Sequence, residues 1–193
     1  MFPLNLPNAL TLIRILLVPV LVVALTVETP GGSTVAAIVF AIAAFTDGLD
    51  GYIARTRQSV TTFGKVMDPV ADKLMIAAAL ISLVSLERLA ACVAMVIIAR
   101  EFAVSGLRIA AGQQGVVIPA SGLGKVKTIV QVVAVLALIA ANDSGEAWVQ
   151  ALVYAMVAIT VASGADYFLN FRRTVEEAAR ERRSSTSAAR SRS

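Results

Sequence analysis

Long apolar stretches constrain this chain more than any other feature. Six of them, each about 20 residues long, are separated by short segments that carry charged residues, glycine or proline. A helix of about 20 apolar residues crosses the hydrocarbon core of a bilayer, because each residue adds about 1.5 Å along the axis. The stretches cover residues 9–27, 34–53, 65–86, 89–111, 125–141 and 147–171.

Composition favours an all-α integral membrane protein, built as a six-transmembrane-helix bundle. Hydrophobic residues make up 58% of the chain, and the mean hydropathy is +0.79, whereas about half of a soluble chain is apolar. We expect one membrane domain over residues 1–171, which begins with a short interfacial segment at residues 1–7. Residues 172–193 are predicted to form a basic, partly disordered cytoplasmic tail.

The charged residues predict an orientation and exclude some functions. Lysine and arginine collect on one side of the predicted bundle, with Arg88 alone on the other, so the basic side and both termini should face the cytoplasm at the cell (inner) membrane. Anionic membrane lipids explain the net charge of +4, and we expect no nucleic-acid partner. Histidine is absent, which leaves acid–base chemistry to carboxylates or lysine.

Four aspartates interrupt the second and third apolar stretches. Asp47 and Asp50 are three residues apart, and Asp68 and Asp72 are four apart, so each pair shares one face of a helix. Carboxylates in apolar surroundings are costly and usually functional, and two divalent cations would balance four of them. Oxygen ligands suit Mg²⁺ or Mn²⁺. The sequence therefore predicts a two-metal site at the cytoplasmic face.

The segment that holds these aspartates follows the pattern D-x2-D-G-x2-A-R-x8-G-x3-D-x3-D. This pattern resembles the signature of the CDP-alcohol phosphatidyltransferase family. Three further segments, NLPNALTLIR from Asn5, AREFAVSGLR from Ala99 and ASGLGKVKTIVQ from Ala120, resemble bacterial members of the family. The resemblance thus extends from about Asn5 to Phe171. Its eight fixed positions are Asp47, Asp50, Gly51, Ala54, Arg55, Gly64, Asp68 and Asp72.

The resemblance implies a fold, a reaction and a set of site residues. It implies a homodimer of six-helix bundles that transfers the phosphatidyl group of CDP-diacylglycerol to sn-glycerol 3-phosphate and releases CMP. Two Mg²⁺ or Mn²⁺ ions would be bound by the four aspartates, with Asp72 as a ligand or as the general base. Its implied CDP-diacylglycerol site comprises Asn8, Thr11, Gly51, Ala54, Arg55 and Gly64. Close helix packing is the alternative explanation for Gly51 and Ala54.

The acceptor's phosphate needs basic residues beside the metals, and Arg108, Lys125 and Lys127 are the candidates. Arg100 and Glu101 are adjacent and are not expected to face each other; a structural and a functional role stay open for them. We expect Asp166 to pair with a basic residue, and Tyr167 to be an interfacial anchor. Two other functions remain possible. One is the same reaction with another acceptor, such as inositol phosphate, and the other is a small cation transporter.

Overall fold

The fold is helical wherever the structure describes it. The computed structural model describes the backbone of residues 6–27, 32–57, 62–113, 122–141 and 143–190. Side-chain surroundings are described for residue 9 and residues 11–27, 32–46, 70–113, 122–141 and 143–176. Within these ranges there are six α-helices and no strand. The predicted all-α class is confirmed. Helix bounds are α1 Leu6–Thr26, α2 Gly32–Arg57, α3 Thr62–Ser85, α4 Ala91–Gln113, α5 Gly122–Ala140 and α6 Ala147–Arg190.

Several helices are longer than the apolar stretches that predicted them. Helix α2 continues four residues past the predicted end at residue 53, and α6 continues to Arg190 instead of ending near Phe171. The end of an apolar stretch does not have to be the end of a helix. Alanine, glutamate and arginine, which make up the polar segment 176–183, also favour helix. The backbone is helical through Arg190, and residues 191–193 lie outside the described residues. Partial disorder of the tail stays a prediction. The predicted interfacial segment lies mostly outside the described residues.

Two helices in the described part of the chain are long and apolar enough to cross a bilayer. They are Gly122–Ala140 and the first part of α6, Ala147–Glu176. The apolar portions of the first two helices, Thr11–Thr26 and Gly32–Thr46, are shorter.

The chain divides into two compact units, and unit 1 comprises Met1–Met95 and Gln131–Val153. Helix α1 packs against α2 and α3, and α2 also contacts α3. Large side chains from each of these helices fill the core, with Leu21 from α1, Phe40 from α2 and Leu80 from α3 all fully buried. Burial of each such side chain stabilises a fold by roughly 1.5–3 kcal/mol.

The turn after α3 contacts the carboxyl end of α5 within unit 1. Glu87 has a φ of 57°, and the N–H of Arg88 donates to the carbonyl of Leu83 at 2.9 Å. This is the bond that closes a Schellman helix end, in which the left-handed position is usually glycine. From this turn, Nη1 of Arg88 donates to the carbonyl oxygens of Leu138, Ile139 and Ala141 at 3.1, 3.1 and 3.3 Å. Arg88 therefore caps the carboxyl end of α5, where a cation also matches the helix dipole.

Unit 2 comprises Val96–Val130 and Tyr154–Ser193. Its apolar core joins α4 to α6 through Val104, Ala111 and Tyr167, which are 8%, 1% and 4% exposed. Leu107 and Phe171 pack against this cluster. These positions are three or four residues apart within each helix, so each helix turns one apolar face towards the other.

Candidate active site

The four aspartates lie on two consecutive helices of unit 1. Asp47 and Asp50 are in the second half of α2, and Asp68 and Asp72 are in the first half of α3. Asp50 and Asp68 lie about 10 Å from the ends of their helices that flank residues 58–61, at about 1.5 Å per residue. On the same measure, Asp47 and Asp72 lie about 15 Å from those ends. Matched depths along two helices that contact each other are what a shared metal site would require.

Only part of this predicted site falls on described side chains. Asp72 is half-buried on α3, and Thr11 is 1% exposed on the α1 face that also buries Arg14. No group of three or more potential metal ligands occurs among the described side chains, and Asp72 is the only one of the four aspartates among them. The other predicted residues have a described helical backbone, but their side chains lie outside the described set: Asn8, Asp47, Asp50, Gly51, Ala54, Arg55, Gly64 and Asp68.

Carboxylate oxygens are the ligands that hard divalent cations prefer. The donor set of four aspartates, with no histidine or thiolate in the segment, therefore fits Mg²⁺ or Mn²⁺ better than zinc. The two ions stay a prediction.

Unit 2 holds a cavity of about 200 Å³ between α4, α5 and α6. Two of the predicted acceptor-binding residues, Arg108 from α4 and Lys125 from α5, line it together. Lys127 does not line it. Its side chain is buried and forms an ion pair with Glu101. The cavity is thus basic at α4 and at the first turn of α5, where the helix dipole also favours an anion. The lining residues are Arg100, Val104, Arg108, Gly124, Lys125, Thr128, Ser163 and Tyr167.

Glu101 connects two basic residues of unit 2, Arg100 and Lys127. Its Oε1 accepts hydrogen bonds from Nη1 of Arg100, at 3.1 Å, and from Nζ of Lys127. Our expectation that Arg100 and Glu101 would not meet is therefore wrong, because their long side chains converge although their Cβ atoms diverge. Nη2 of Arg100 donates to Oγ of Ser163 on α6 at 3.0 Å. Arg100 thereby links α4 to α6.

The glycine next to Ser163 makes room for this contact. A Cβ atom on Gly164 would lie 3.2 Å from Cγ of Arg100 and 3.8 Å from its Nε. The first distance is shorter than ordinary van der Waals contact, so a larger residue here would push the arginine away from α6.

Tyr167 forms the α6 side of the cavity. The guanidinium carbon of Arg108 lies 5.7 Å from the centroid of its ring, within the range of a cation–π contact. The ring is 4% exposed, so the prediction of an interfacial anchor is wrong. The hydroxyl is buried and has no hydrogen-bond partner among the described residues. Sequence analysis missed Ser163 and Tyr167 as site residues, although their four-residue spacing within an apolar stretch marked one polar helix face.

Among the described residues, Asp166 has no basic partner of the kind that we expected. Its Oδ1 accepts a hydrogen bond from Nδ2 of Asn170 at 3.2 Å. Its Oδ2 is buried and has no hydrogen-bond partner among the described residues. Nothing in this geometry joins Asp166 to the cavity.

Comparison with known proteins decides the family. The sequence profile described as CDP-alcohol phosphatidyltransferase matches residues 4–162. The chain belongs to the CDP-alcohol phosphatidyltransferase family. This family is membrane-associated.

Named relatives of this CDP-alcohol phosphatidyltransferase are similar over most of its length. A Bacillus subtilis protein named CDP-diacylglycerol–glycerol-3-phosphate 3-phosphatidyltransferase is 41% identical over 180 residues, which cover 85% of this chain and 93% of the relative. A Rickettsia felis protein of the same name is 38% identical over 169 residues, with the same coverage. A Mycobacterium tuberculosis protein named probable phosphatidylglycerophosphate synthase is 43% identical over 168 residues, which cover 84% of this chain and 79% of the relative.

The family profile covers some parts of the candidate site and not others. Residues 4–162 include all eight positions of the aspartate pattern, and also Arg108 and Lys125. Ser163, Gly164 and Tyr167 follow the end of that match. The α6 side of the cavity therefore lies beyond the part of this CDP-alcohol phosphatidyltransferase that the family profile covers.

Proposed function

We propose that this protein transfers the phosphatidyl group of CDP-diacylglycerol to sn-glycerol 3-phosphate, giving phosphatidylglycerophosphate and CMP. The observation that carries the proposal is the similarity, at 36–43% identity over most of the chain, to proteins whose names state this reaction. The aspartate pattern supports the reaction class, and a small basic cavity supports a phosphorylated acceptor.

The aspartates supply the reaction's metal site and its base. Asp47, Asp50, Asp68 and Asp72 would hold two Mg²⁺ or Mn²⁺ ions. When bound, such ions neutralise a pyrophosphate and stabilise the attacking and leaving oxygens of an in-line displacement. Asp72 accepts the proton of the attacking hydroxyl, the oxygen forms its bond to the phosphorus that carries diacylglycerol, and the bond to CMP breaks. General-base catalysis of this kind typically contributes about 10²–10⁴ in rate.

Each unit contains proposed substrate contacts. Gly51, Ala54, Arg55, Gly64, Asn8 and Thr11 are the proposed contacts of CDP-diacylglycerol in unit 1, where Arg55 offers its guanidinium to phosphate oxygens. In unit 2, Arg108 and Lys125 bind the acceptor's phosphate, because both line one cavity and neither has a carboxylate partner among the described residues. Lys127 stays a predicted ligand of the acceptor's phosphate, but its charge is already paired with that of Glu101.

All six helices are proposed to span the inner membrane, with both termini in the cytoplasm. The five helices from α1 to α5 are 19–26 residues long, which at about 1.5 Å per residue matches a hydrocarbon core of about 30 Å. Large apolar side chains are exposed along the helices, including Leu16 on α1, Phe45 on α2 and Ile129 on α5. Such faces suit contact with lipid or with the second subunit of a homodimer. The basic segment after Phe171 would contact anionic lipids.

An acceptor panel tests the proposal. Purified protein in detergent is given CDP-diacylglycerol, Mg²⁺ and one of glycerol 3-phosphate, inositol phosphate or glycerol, and CMP release is measured. We expect release with glycerol 3-phosphate and little with the others. Release with inositol phosphate alone would establish another acceptor, and no release with any acceptor would favour cation transport instead.

The Asp72→Asn variant tests the general base in the same assay. It should lose at least about 100-fold in turnover, since general-base catalysis contributes that much, while binding of CDP-diacylglycerol changes little. Asp143→Asn is the matched control. Asp143 lies outside the motif, and the asparagine keeps the oxygen that accepts the N–H of Gly145. Near-normal turnover in Asp72→Asn would remove Asp72 as the base.

A further inference from the structure

We propose that Tyr167 is a specificity-determining residue of the acceptor pocket, whose hydroxyl donates a hydrogen bond to the acceptor's phosphate group while its ring holds Arg108 beside that group. This inference rests on the proposed function and extends it to a residue outside the aspartate pattern and outside the family-wide match. Four observations carry it: the unpartnered buried donors, the sign of the cavity's charge, the cavity's volume, and the contact with Arg108.

Two buried donors on the cavity's lining residues have no hydrogen-bond partner in the described part of the chain. The hydroxyl of Tyr167 and Nε of Arg100 are both buried without a hydrogen bond among the described residues. Both residues line the cavity. Native proteins leave few buried polar groups unsatisfied, and those that remain often await a ligand or water. Since Arg100 cannot accept a hydrogen bond and tyrosine donates readily, these two groups together suit a ligand rich in acceptor oxygens.

The charge of the lining indicates an anion. Arg108 and Lys125 line the cavity, the described lining residues include no carboxylate, and the carboxylate of Glu101 is shared between Arg100 and Lys127. Because Glu101 is paired with those two residues, it does not neutralise the positive charges of Arg108 and Lys125. A phosphomonoester carries nearly two negative charges and three acceptor oxygens at pH 7, which complements such a lining.

The volume indicates a small anion. About 200 Å³ is below the roughly 300–1,000 Å³ of pockets that enclose drug-sized ligands. A phosphate group on a three-carbon polyol is of this scale, whereas a cytidine nucleotide or a diacylglycerol is not.

Tyr167 would act through two separable parts. Its ring lies under the guanidinium of Arg108 at 5.7 Å and packs in the core cluster with Val104 and Ala111. Its hydroxyl takes part in none of these contacts. Replacing tyrosine by phenylalanine therefore removes the proposed hydrogen bond and keeps the ring, whereas leucine removes both. This separation distinguishes binding of the acceptor from packing of the helix.

The experiment compares Tyr167→Phe, Tyr167→Leu and the wild type in the CMP-release assay. Tyr154→Phe is the matched control, because Tyr154 lies on the same helix and is 71% exposed. We expect Tyr167→Phe to raise the KM for glycerol 3-phosphate about tenfold, as loss of one hydrogen bond to a charged group predicts. The KM for CDP-diacylglycerol and the melting temperature should stay unchanged. Tyr167→Leu should raise the acceptor KM further, and Tyr154→Phe should leave both constants unchanged.

Two results would overturn the proposal. One is a KM for glycerol 3-phosphate within twofold of the wild type in Tyr167→Phe. The other is an equal rise in both KM values, since the hydroxyl would then not act on the acceptor. Failure of the proposed function would appear separately, as no CMP release from the wild type. Equilibrium dialysis with labelled glycerol 3-phosphate would still test the residue in that case: weaker binding to Tyr167→Phe supports its role, and unchanged binding contradicts it.

Discussion

Glu101 on α4 and Lys127 on α5 form an ion pair inside unit 2, where their side chains are 14% and 6% exposed. The same carboxylate oxygen also accepts a hydrogen bond from Arg100. One carboxylate therefore holds two cations in an environment with little water, where an unpaired charge is strongly unfavourable. Glu101 compensates the charges of Arg100 and Lys127, whereas Arg108 and Lys125 line the cavity with no carboxylate partner among the described residues.

Replacing Glu101 by glutamine should destabilise the protein. The amide is neutral, so the ion pairs that Lys127 and Arg100 form with Glu101 would be lost, and removing one partner of a buried ion pair typically costs about 3–5 kcal/mol. We expect a clearly lower melting temperature in detergent than for the wild type.

The double variant Glu101→Gln with Lys127→Met provides the control. It removes both members of the pair, and we expect it to recover much of the lost stability. A double variant no more stable than Glu101→Gln would contradict the pairing. Its KM for glycerol 3-phosphate also tests whether Lys127 binds phosphate, because loss of a phosphate ligand would raise that KM in an otherwise stable protein.

Gly164→Ala should disturb the contact between Arg100 and α6. The new Cβ would lie 3.2 Å from Cγ of Arg100, so the side chain must move from Ser163. Gly106 is the matched control, since a Cβ there meets nothing within 4 Å. Gly106→Ala should stabilise by about 0.5–1 kcal/mol through helix propensity. Gly164→Ala should be at least about 1 kcal/mol less stable than Gly106→Ala. Equal melting temperatures for the two variants would mean that the contact between Arg100 and Ser163 does not depend on Gly164.

Glu87→Gly should stabilise the turn between α3 and α4. A left-handed conformation costs a non-glycine residue about 1–2 kcal/mol, and Glu87 adopts it with a φ of 57°. Part of this gain is lost to the greater freedom of glycine in the unfolded chain, so we expect a net gain of about 1 kcal/mol. Glu87→Ala removes the carboxylate but keeps the Cβ, and it should give no comparable gain. A similar rise in melting temperature for both variants would assign the effect to charge.

Arg88→Met should weaken the end of α5. The substitution keeps much of the side chain's apolar volume and removes the donor that contacts three carbonyl oxygens, those of Leu138, Ile139 and Ala141. Loss of hydrogen bonds from a charged donor predicts a decrease of about 1.5–3 kcal/mol in stability. Arg88→Lys keeps the charge and should lie between Arg88→Met and the wild type. If Arg88→Met melts at the wild-type temperature, the cap does not stabilise the protein.

The sequence predicted the helices well because hydrophobicity and breaking residues act locally. Pro7 lies in the first turn of α1, and α5 ends within one residue of the predicted position. The far ends of α2 and α6 could not be placed in the same way. There the helix runs on into polar segments, and whether such segments remain helical depends on propensity and tertiary contacts instead of on apolar length.

Site residues that belong to a sequence motif could be predicted. Site residues whose surroundings depend on the packing of neighbouring helices could not. The aspartate pattern is visible in the sequence, and Arg108 was predicted from the sequence as a candidate ligand of the acceptor's phosphate. Tyr167 was not, because its burial depends on α4 covering that face of α6 and bringing Arg108 over its ring. Likewise, the ion pair between Glu101 and Lys127 could not be predicted from the sequence. It depends on how α5 packs against α4, which the spacing of residues along the chain does not determine.

The most direct test follows labelled glycerol 3-phosphate into lipid. Purified wild-type protein is incubated with CDP-diacylglycerol and labelled glycerol 3-phosphate, with Mg²⁺ or with a chelator, and the organic-soluble label and released CMP are counted. Our account predicts one labelled phospholipid for each CMP with Mg²⁺, and neither product with the chelator. CMP release without labelled lipid, or labelled lipid formed equally well in the chelator, would contradict metal-dependent phosphatidyl transfer to this acceptor.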